Sequence, residues 1–301
     1  MNKYAYFPGC SALKSATELD KSSRLVFESL GLDFFPLNDA ACCGSRECGG
    51  LRVQDEFLSI VNNARTLAMA EKAGASCLLN VCSTCQLVLK EVNNELRQDP
   101  LLLNKVNAIL SSIGMHYAGT VEVKHLLHIV LDDIGLDRMR QKVVRPLKGL
   151  NIAPFYGCHL LRPSKVHGNF DDPYKPCSLG QIIEALGATE VIYEGATGCC
   201  GFHSIITSKK PQLIMSGQHL LAAKKCYADL IVTPCPLCHT VLDSYQPSIE
   251  NEIKRRIKLP IIHLSQMIGF AIGIDSSSLG FSHHMINPLE ILQKTIGGKL
   301  Y

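Results

Sequence analysis

The chain has 301 residues, 47% of them apolar and 19% charged, with a formal net charge of +3. That profile fits a folded protein with a large core and room for two domains of about 150 residues each. It excludes a disordered chain, a nucleic-acid-binding basic tail and a polybasic membrane patch. No apolar run reaches the roughly 18 to 20 residues of a bilayer span, and the first residues lack the apolar region of a signal peptide. A cytoplasmic protein without a membrane span is therefore expected. There, fourteen cysteines point to metal ligation and not to a disulfide framework.

Taken in order, the chain reads twice through one pattern of elements. Tyr6-Phe7-Pro8-Gly9-Cys10 closes a short aromatic run that reads as a strand, and Phe155-Tyr156-Gly157-Cys158 is its counterpart. Ser15-Ala16-Thr17-Glu18 reads as a capping box, followed by a helix with Leu19, Val26, Phe27 and Leu30 on one face and Gly31 at its end. Ser178 to Leu186 repeats that helix, with Ile182, Ile183 and Leu186 inward and Gly187 closing it. Leu32 to Leu37 and Val191 to Tyr193 read as the next strands. The following helices present Phe57, Leu58, Val61, Ala64 and Ala68, then Leu213, Ile214, Gly217, Leu220 and Leu221 behind Pro211. Two strands, Cys77-Leu78-Leu79-Asn80-Val81 and Leu230-Ile231-Val232-Thr233, lead into Cys-x-x-Cys motifs. Val123-Lys124-His125-Leu126-Leu127 corresponds to Ile261-Ile262-His263-Leu264-Ser265.

Strand alternating with helix, with cysteines on the loops after strands, predicts an α/β protein. It would consist of two tandem, pseudo-two-fold-related cysteine-rich domains with parallel sheets. The halves meet near Arg145-Pro146-Leu147-Lys148-Gly149, giving domains over 1–148 and 149–301.

Each half carries five cysteines in one order: a single cysteine, an adjacent pair followed by Gly, then Cys-x-x-Cys. The intervening lengths are 31 and 38 residues in the first half, 40 and 34 in the second. Adjacent cysteines point apart on a regular helix or strand. Gly198 and Gly201, which flank Cys199-Cys200, permit a tight loop that turns both thiolates toward one centre. The spacing thus predicts two thiolate-rich metal sites. It leaves the metal open, because thiolates suit zinc and iron–sulfur clusters alike. A four-ligand zinc site or cubane cluster would leave one cysteine over in each half.

Two tandem copies of single Cys, Cys-Cys-Gly and Cys-x-x-Cys resemble the B-type subunit of heterodisulfide reductase over nearly the whole chain. Tyr156-Gly157-Cys158-His159-Leu160-Leu161-Arg162-Pro163-Ser164 is especially similar. The resemblance implies two non-cubane four-iron, four-sulfur clusters, each held by five cysteines. Cys10, Cys42, Cys43, Cys82 and Cys85 would hold one, and Cys158, Cys199, Cys200, Cys235 and Cys238 the other. It implies a small disulfide substrate, such as that of coenzyme M and coenzyme B, reduced between the clusters with one electron from each. It also implies partner subunits, one ferredoxin-like with iron–sulfur centres and one containing flavin, since the chain shows no flavin or nicotinamide site of its own. Zinc in one domain is the alternative cofactor. The alternative role is electron relay in a 2-hydroxyacid or fumarate/succinate-type dehydrogenase, a class that often adds a Cys-x-x-Cys-x-x-Cys run absent from this sequence.

Around the cysteines, His159 and His203 are candidates for proton delivery or cluster hydrogen bonding. Arg162, Lys165 and Arg46 are candidates for an anionic substrate. Cys48 is a candidate substitute ligand in the first half. Cys77 and Cys226 read as core residues, Cys177 as structural, and His125 and His263 as satisfied structural histidines.

Overall fold

The computed structural model describes residues 3–45, 56–205 and 207–294. Arg46 and Cys48 lie outside the described residues. The first sheet comprises β1 (Lys3–Phe7), β2 (Asp33–Pro36), β3 (Cys77–Asn80) and β4 (Glu122–His125), ordered β2-β1-β3-β4. The second comprises β5 (Asn151–Pro154), β6 (Thr189–Glu190), β7 (Leu230–Thr233) and β8 (Ile261–His263), ordered β6-β5-β7-β8. Every strand pair is parallel, and Asn80 pairs with His125 as Thr233 pairs with His263. The repeat read from the sequence is thus a repeat of topology and of register.

β3 and β7 are buried at every position, as expected of inner strands with helices on both faces. Alternate strand residues feed two hydrophobic cores, one per sheet face. One core takes Phe7, Leu78, Phe155 and Ile231; the other takes Tyr6, Leu79, Tyr156 and Val232. Both cores run through both halves. Helix Thr17–Leu30 of the first half packs on helix Leu264–Ala271 of the second, and the Ser22 and Ser265 hydroxyls meet at 2.7 Å.

Several local expectations shift. β6 is only two residues long; beyond it the Val191 N–H still bonds Ile152 O (2.9 Å), and Ile192 and Tyr193 run on outside the strand. In helices Glu56–Lys72 and Lys209–Lys225 the buried faces are rotated from the apolar stripes. Leu58 (57%) and Ile214 (38%) are exposed, while Asn63 and Ser216 are buried. The reason is tertiary: those faces meet the paired-cysteine loops, which need hydrogen-bond donors. Ser15 to Glu18 make no capping box. The N-cap of the helix is Ala16, without a side-chain cap bond, and Glu18 turns into the protein interior instead. Gly31 closes the helix in the left-handed conformation as expected (φ 73°). Cys226 lies exposed just past its helix, not in the core.

Phe27 is fully buried, with edge-to-face contacts to Tyr6 (5.1 Å) and Phe34 (5.2 Å). Phe27→Ala is expected to destabilise the fold by about 3–5 kcal/mol. Leu58→Ala should stay within about 0.5 kcal/mol of wild type. Anaerobic guanidinium unfolding of the full chain, comparing midpoints at unchanged m, checks both.

Candidate metal centres and the cavity between the halves

After β1 the chain turns to one side for β2; later it returns to the other side for β3. The β1 and β3 ends therefore open a crevice at a topological switch point, the place where parallel α/β sheets bind ligands. Cys10 follows β1 in the short helix Gly9–Lys14. Cys42 and Cys43 follow β2, and Cys82 and Cys85 follow β3. In the second half Cys158, Cys199–Cys200 and Cys235/Cys238 follow β5, β6 and β7 in the same way. Cys82 and Cys235 are the N-caps of helices Ser83–Gln98 and Pro236–Asp243, and Cys85 and Cys238 lie in their first turns. Helix N-termini favour thiolate over thiol.

The sulfurs converge. Cys42 Sγ lies 3.4 Å from Cys10 Sγ, and Cys43 Sγ lies 3.5 Å from Cys85 Sγ. The other thiols are near enough to shift one another: Cys85 and Cys82, Cys158 and Cys199, and Cys238 with both Cys200 and Cys235. Cys82 and Cys235, from opposite halves, lie near enough to shift one another, Cys82 upward and Cys235 downward, so the two sets are neighbours. Thiols at such range split into proton donors and acceptors. Its neighbours Cys42 and Cys85 hold Cys43 well below the usual thiol range, and Cys43 in turn pushes Cys85 well above. Cys199 is drawn down to about 6, first by Cys158 and, against burial, by the Gly201 N–H.

The backbone makes room for this. Gly9 and Gly157 occupy equivalent places with φ near +76° and +69°. A Cβ would sit 3.2 Å from Cys85 Sγ at the first and 3.0 Å from Cys238 Sγ at the second. Gly201 adopts φ 83° as the tight loop requires, and its N–H donates to Cys199 Sγ (3.4 Å). Gly198 serves differently: a Cβ there would lie 2.4 Å from the His219 ring.

Each paired-cysteine loop is held by its carbonyls from the helix that follows. Asn62 Nδ2 donates to Cys42 O (3.0 Å) and Asn63 Nδ2 to Cys43 O (3.1 Å). In the second half His219 Nε2 meets Cys199 O (2.9 Å), and Ser216 Oγ donates to Cys200 O (2.8 Å). None of these four residues is among the sequence candidates. Their only signal there is polarity on an otherwise inward-facing helix surface.

Of the flanking candidates, the structure brings His159, His203 and Arg162 beside the second set. The His159 and His203 rings stand 5.5 Å apart. His159 Nδ1 meets Thr84 Oγ1 of the first half at 3.0 Å. Burial pushes His203 below the usual imidazole range. Arg162 donates to Thr197 O beside the paired cysteines. Lys165 is exposed. His125 and His263 are buried; His125 Nε2 meets Pro234 O across the halves (2.9 Å). Cys77 is a core thiol pushed up to about 12 by burial, whereas Cys177 is exposed beside Asp171. A cavity of about 420 Å³ opens over the first set. Cys10, Cys42, Cys43, Cys82 and Cys85 line it, with Phe202 and Leu237 from the second half among its walls.

Fold and site together define a duplicated parallel α/β protein whose halves present thiols to one another. The chain belongs to the CCG cysteine-rich domain family, whose model matches residues 4–90 and 152–243. It is 36% identical, over 96% of its length and 99% of the relative's, to the 8-methylmenaquinol:fumarate reductase membrane anchor subunit of Wolinella succinogenes. It is 30% identical, over 98% of its length and 97% of the relative's, to the B-type subunit of a ferredoxin/F420H2-dependent CoB-CoM heterodisulfide reductase of Methanosarcina acetivorans. At 28% identity it matches the glycolate oxidase iron-sulfur subunit of Escherichia coli, covering 78% of this chain and 52% of that one. A hypothetical protein from Helicobacter pylori shares the fold, with a TM-score of 0.75 at 16% identity; 95% of this chain spans about half (52%) of that one. No helix among the described residues is long and apolar enough to cross a membrane.

Gly9→Ala and Gly157→Ala are each expected to strain the backbone by upward of about 1 kcal/mol and to crowd one cysteine. Each should lower the metal loading of its own half and spare the other, read by iron analysis and electron paramagnetic resonance of the anaerobic protein.

Proposed function

We propose that the chain is the iron–sulfur subunit of a reductase complex, and that it reduces a small disulfide between two cysteine-held clusters. The observation that carries this reading is the cavity that the first five-cysteine set shares with Phe202, Pro236 and Leu237 of the second half, the last two lying between Cys235 and Cys238. The donor set fits the cofactor: it is sulfur alone, five to a half, with glycines clearing space at Cys85 and Cys238. Cys10, Cys42, Cys43, Cys82 and Cys85 would hold one non-cubane four-iron, four-sulfur cluster. Cys158, Cys199, Cys200, Cys235 and Cys238 would hold the other. When bound, the clusters supply single electrons from a pair of adjacent centres.

The chain's own side chains do the rest. Phe202, Pro236 and Leu237 give the cavity apolar walls that displace water from a substrate sulfur. His159 and His203, beside the second set, would supply protons to product thiolates, and Arg162 would be the cation for an anionic substituent. Electrons enter from partner subunits, one ferredoxin-like and one flavin-containing. The 36% identity to a fumarate reductase subunit favours a second reading, in which the same two centres relay electrons to a partner and no disulfide is cleaved.

Anaerobically purified protein should carry iron and acid-labile sulfide for two four-iron clusters. Cys43→Ala or Cys200→Ala should remove one cluster and lower disulfide reduction by a low-potential donor more than 100-fold in the reconstituted complex. Cys226→Ala should leave the rate within twofold. Full disulfide reduction with one cluster missing overturns the two-centre mechanism. Fumarate- or 2-hydroxyacid-linked electron transfer without disulfide turnover establishes the relay.

A further inference from the structure

Away from the cysteine cavity, each half has an open crevice between the ends of two helices. In the first half, helices Glu56–Lys72 and Pro100–Ser111 form it; it measures about 470 Å³, and Glu71, Lys72, Met115 and His116 are among its walls. In the second, helices Lys209–Lys225 and Gln246–Ile253 form it; it measures about 520 Å³, walled by Leu221, Ala222, Lys224, Lys225, Arg255 and Arg256. The two crevices correspond residue for residue. Tyr227 N and Ala228 N donate to Lys224 O and Ala223 O, as Gly74 N and Ala75 N donate to Glu71 O and Ala70 O. Arg255 N donates to Glu250 O as Met115 N donates to Leu110 O. Lys224, Arg255 and Arg256 thus stand where the first half has Glu71, Met115 and His116. The fold supplies the crevice, and only the second half makes it cationic. We propose that this cationic crevice and its rim are a docking surface for an acidic face of a partner subunit.

Lys224, Lys225, Lys254, Arg255, Arg256 and Lys258 are all exposed, on a chain whose net charge is only +3. Among the described residues, no carboxylate forms a salt bridge with any of the six. The acids of the same segments are engaged elsewhere. Glu250 accepts from the Ile257 and Lys258 N–H groups (2.6 and 2.9 Å). Glu252 pairs with Lys210 (3.3 Å), and Asp229 accepts from the Asn151 N–H (2.8 Å). Lys224 Nζ donates to Arg256 O (3.4 Å) and Ile257 O, which ties the Lys254–Lys258 turn to the end of the neighbouring helix. A held cluster of like charges without internal counter-charge is complementary to an acidic surface.

The backbone gives a second, independent observation. Of the five non-glycine residues with positive φ among the described residues, three sit here: Tyr227 (61°), Lys254 (56°) and Lys258 (48°). At the matching helix ends the first half has Gly74 (74°) and Gly114 (67°), the residue that adopts this conformation at least cost. No atom lies within 4 Å of a Cβ built at either glycine, so packing does not dictate the choice. The second half accepts strained backbone in order to present a tyrosine and a lysine. Tyr227 is 83% exposed. Tyrosine and arginine are the side chains that carry most energy at protein interfaces, which assigns the surface to a protein partner. The lysines form the rim, where charge steers the encounter. The patch precedes β7 and Cys235 follows it, so a docked subunit leaves the cysteine ends of the strands open.

This proposal rests on the reading that the chain works inside a complex, and not on disulfide chemistry. The test takes the complex isolated anaerobically at low salt through an affinity tag on this chain. A carbodiimide then joins lysine amines directly to carboxylates in contact with them. Peptides linking Lys225, Lys254 or Lys258 to Asp or Glu of one co-purified subunit are expected. Lys225→Glu combined with Arg255→Glu and Arg256→Glu should lower retention of that subunit at least tenfold, with iron content unchanged. Salt at about 0.5 M should release it from wild type in the same way. Tyr227→Gly and Lys254→Gly should raise the guanidinium unfolding midpoint and yet lower retention, whereas a purely structural role moves only the midpoint. A wild-type chain recovered alone at low salt refutes the complex, and the docking with it. Full retention by the charge-reversed chain, or links from these lysines only to a second copy of this chain, overturns the docking and leaves the complex standing. If the charge-reversed chain does not fold, the wild-type cross-links decide alone.

Discussion

Ten sulfurs held close together in a largely water-poor interface are a structural debt that the polypeptide alone does not settle. If all ionised, their charges repel at short range and low dielectric; if all protonated, they are weak donors facing weak acceptors. Cys43 and Cys85 lie 3.5 Å apart, and the closeness drives them in opposite directions, Cys43 held low and Cys85 high, as expected of crowded acids. A cationic metal core resolves both difficulties, since it takes every thiolate at once. Much of the surrounding architecture follows from that demand. Positive-φ glycines stand at Gly9 and Gly157, amide and hydroxyl donors hold the paired-cysteine carbonyls, and helix N-termini point at Cys85 and Cys238.

Duplication supplies two such sets of cysteines, and the structure then makes them unequal. The first set opens to the cavity, with Cys10 and Cys42 exposed, and apolar residues of the second half serve as part of its wall. The second set has the polar company: His159, His203 and Arg162. A substrate lying between the sets would thus meet a hydrophobic surface on one side and proton and charge partners on the other. That asymmetry suits a substrate with two chemically different ends. Simple electron relay between identical centres would not require it.

Whatever is written locally and repeated is legible in the sequence. Strand-to-cysteine junctions, the parallel sheet class and the five-cysteine sets all fall in that group, because ligand spacing and β-α alternation are short-range signals. Two features do not. The inward faces of the helices behind the paired cysteines carry Asn63 and Ser216, so hydrophobic periodicity points to Leu58 and Ile214, which are exposed. The identities of Asn62 and His219 as carbonyl holders depend on a loop about 20 residues away. β6 is short because the chain leaves the sheet after the Val191 N–H bonds Ile152 O (2.9 Å): Val191 and Tyr193 still turn into the core while Ile192 faces out.

Glu18 is the most informative departure. Ser15-x-x-Glu18 satisfies the local pattern of a capping box, and local chemistry alone would turn the glutamate back on its helix. Tertiary structure overrides it, placing Glu18 at 6% exposure against His263. A carboxylate removed from water needs a compensating partner, and Glu18 finds it in two histidines of the second half: His263 Nε2 lies 3.2 Å from Oε1 and His283 Nδ1 3.9 Å from Oε2. The register partner of His263, His125, meets a neutral carbonyl, Pro234 O, instead, so the pairing of Glu18 is an addition to the fold and not a requirement of it.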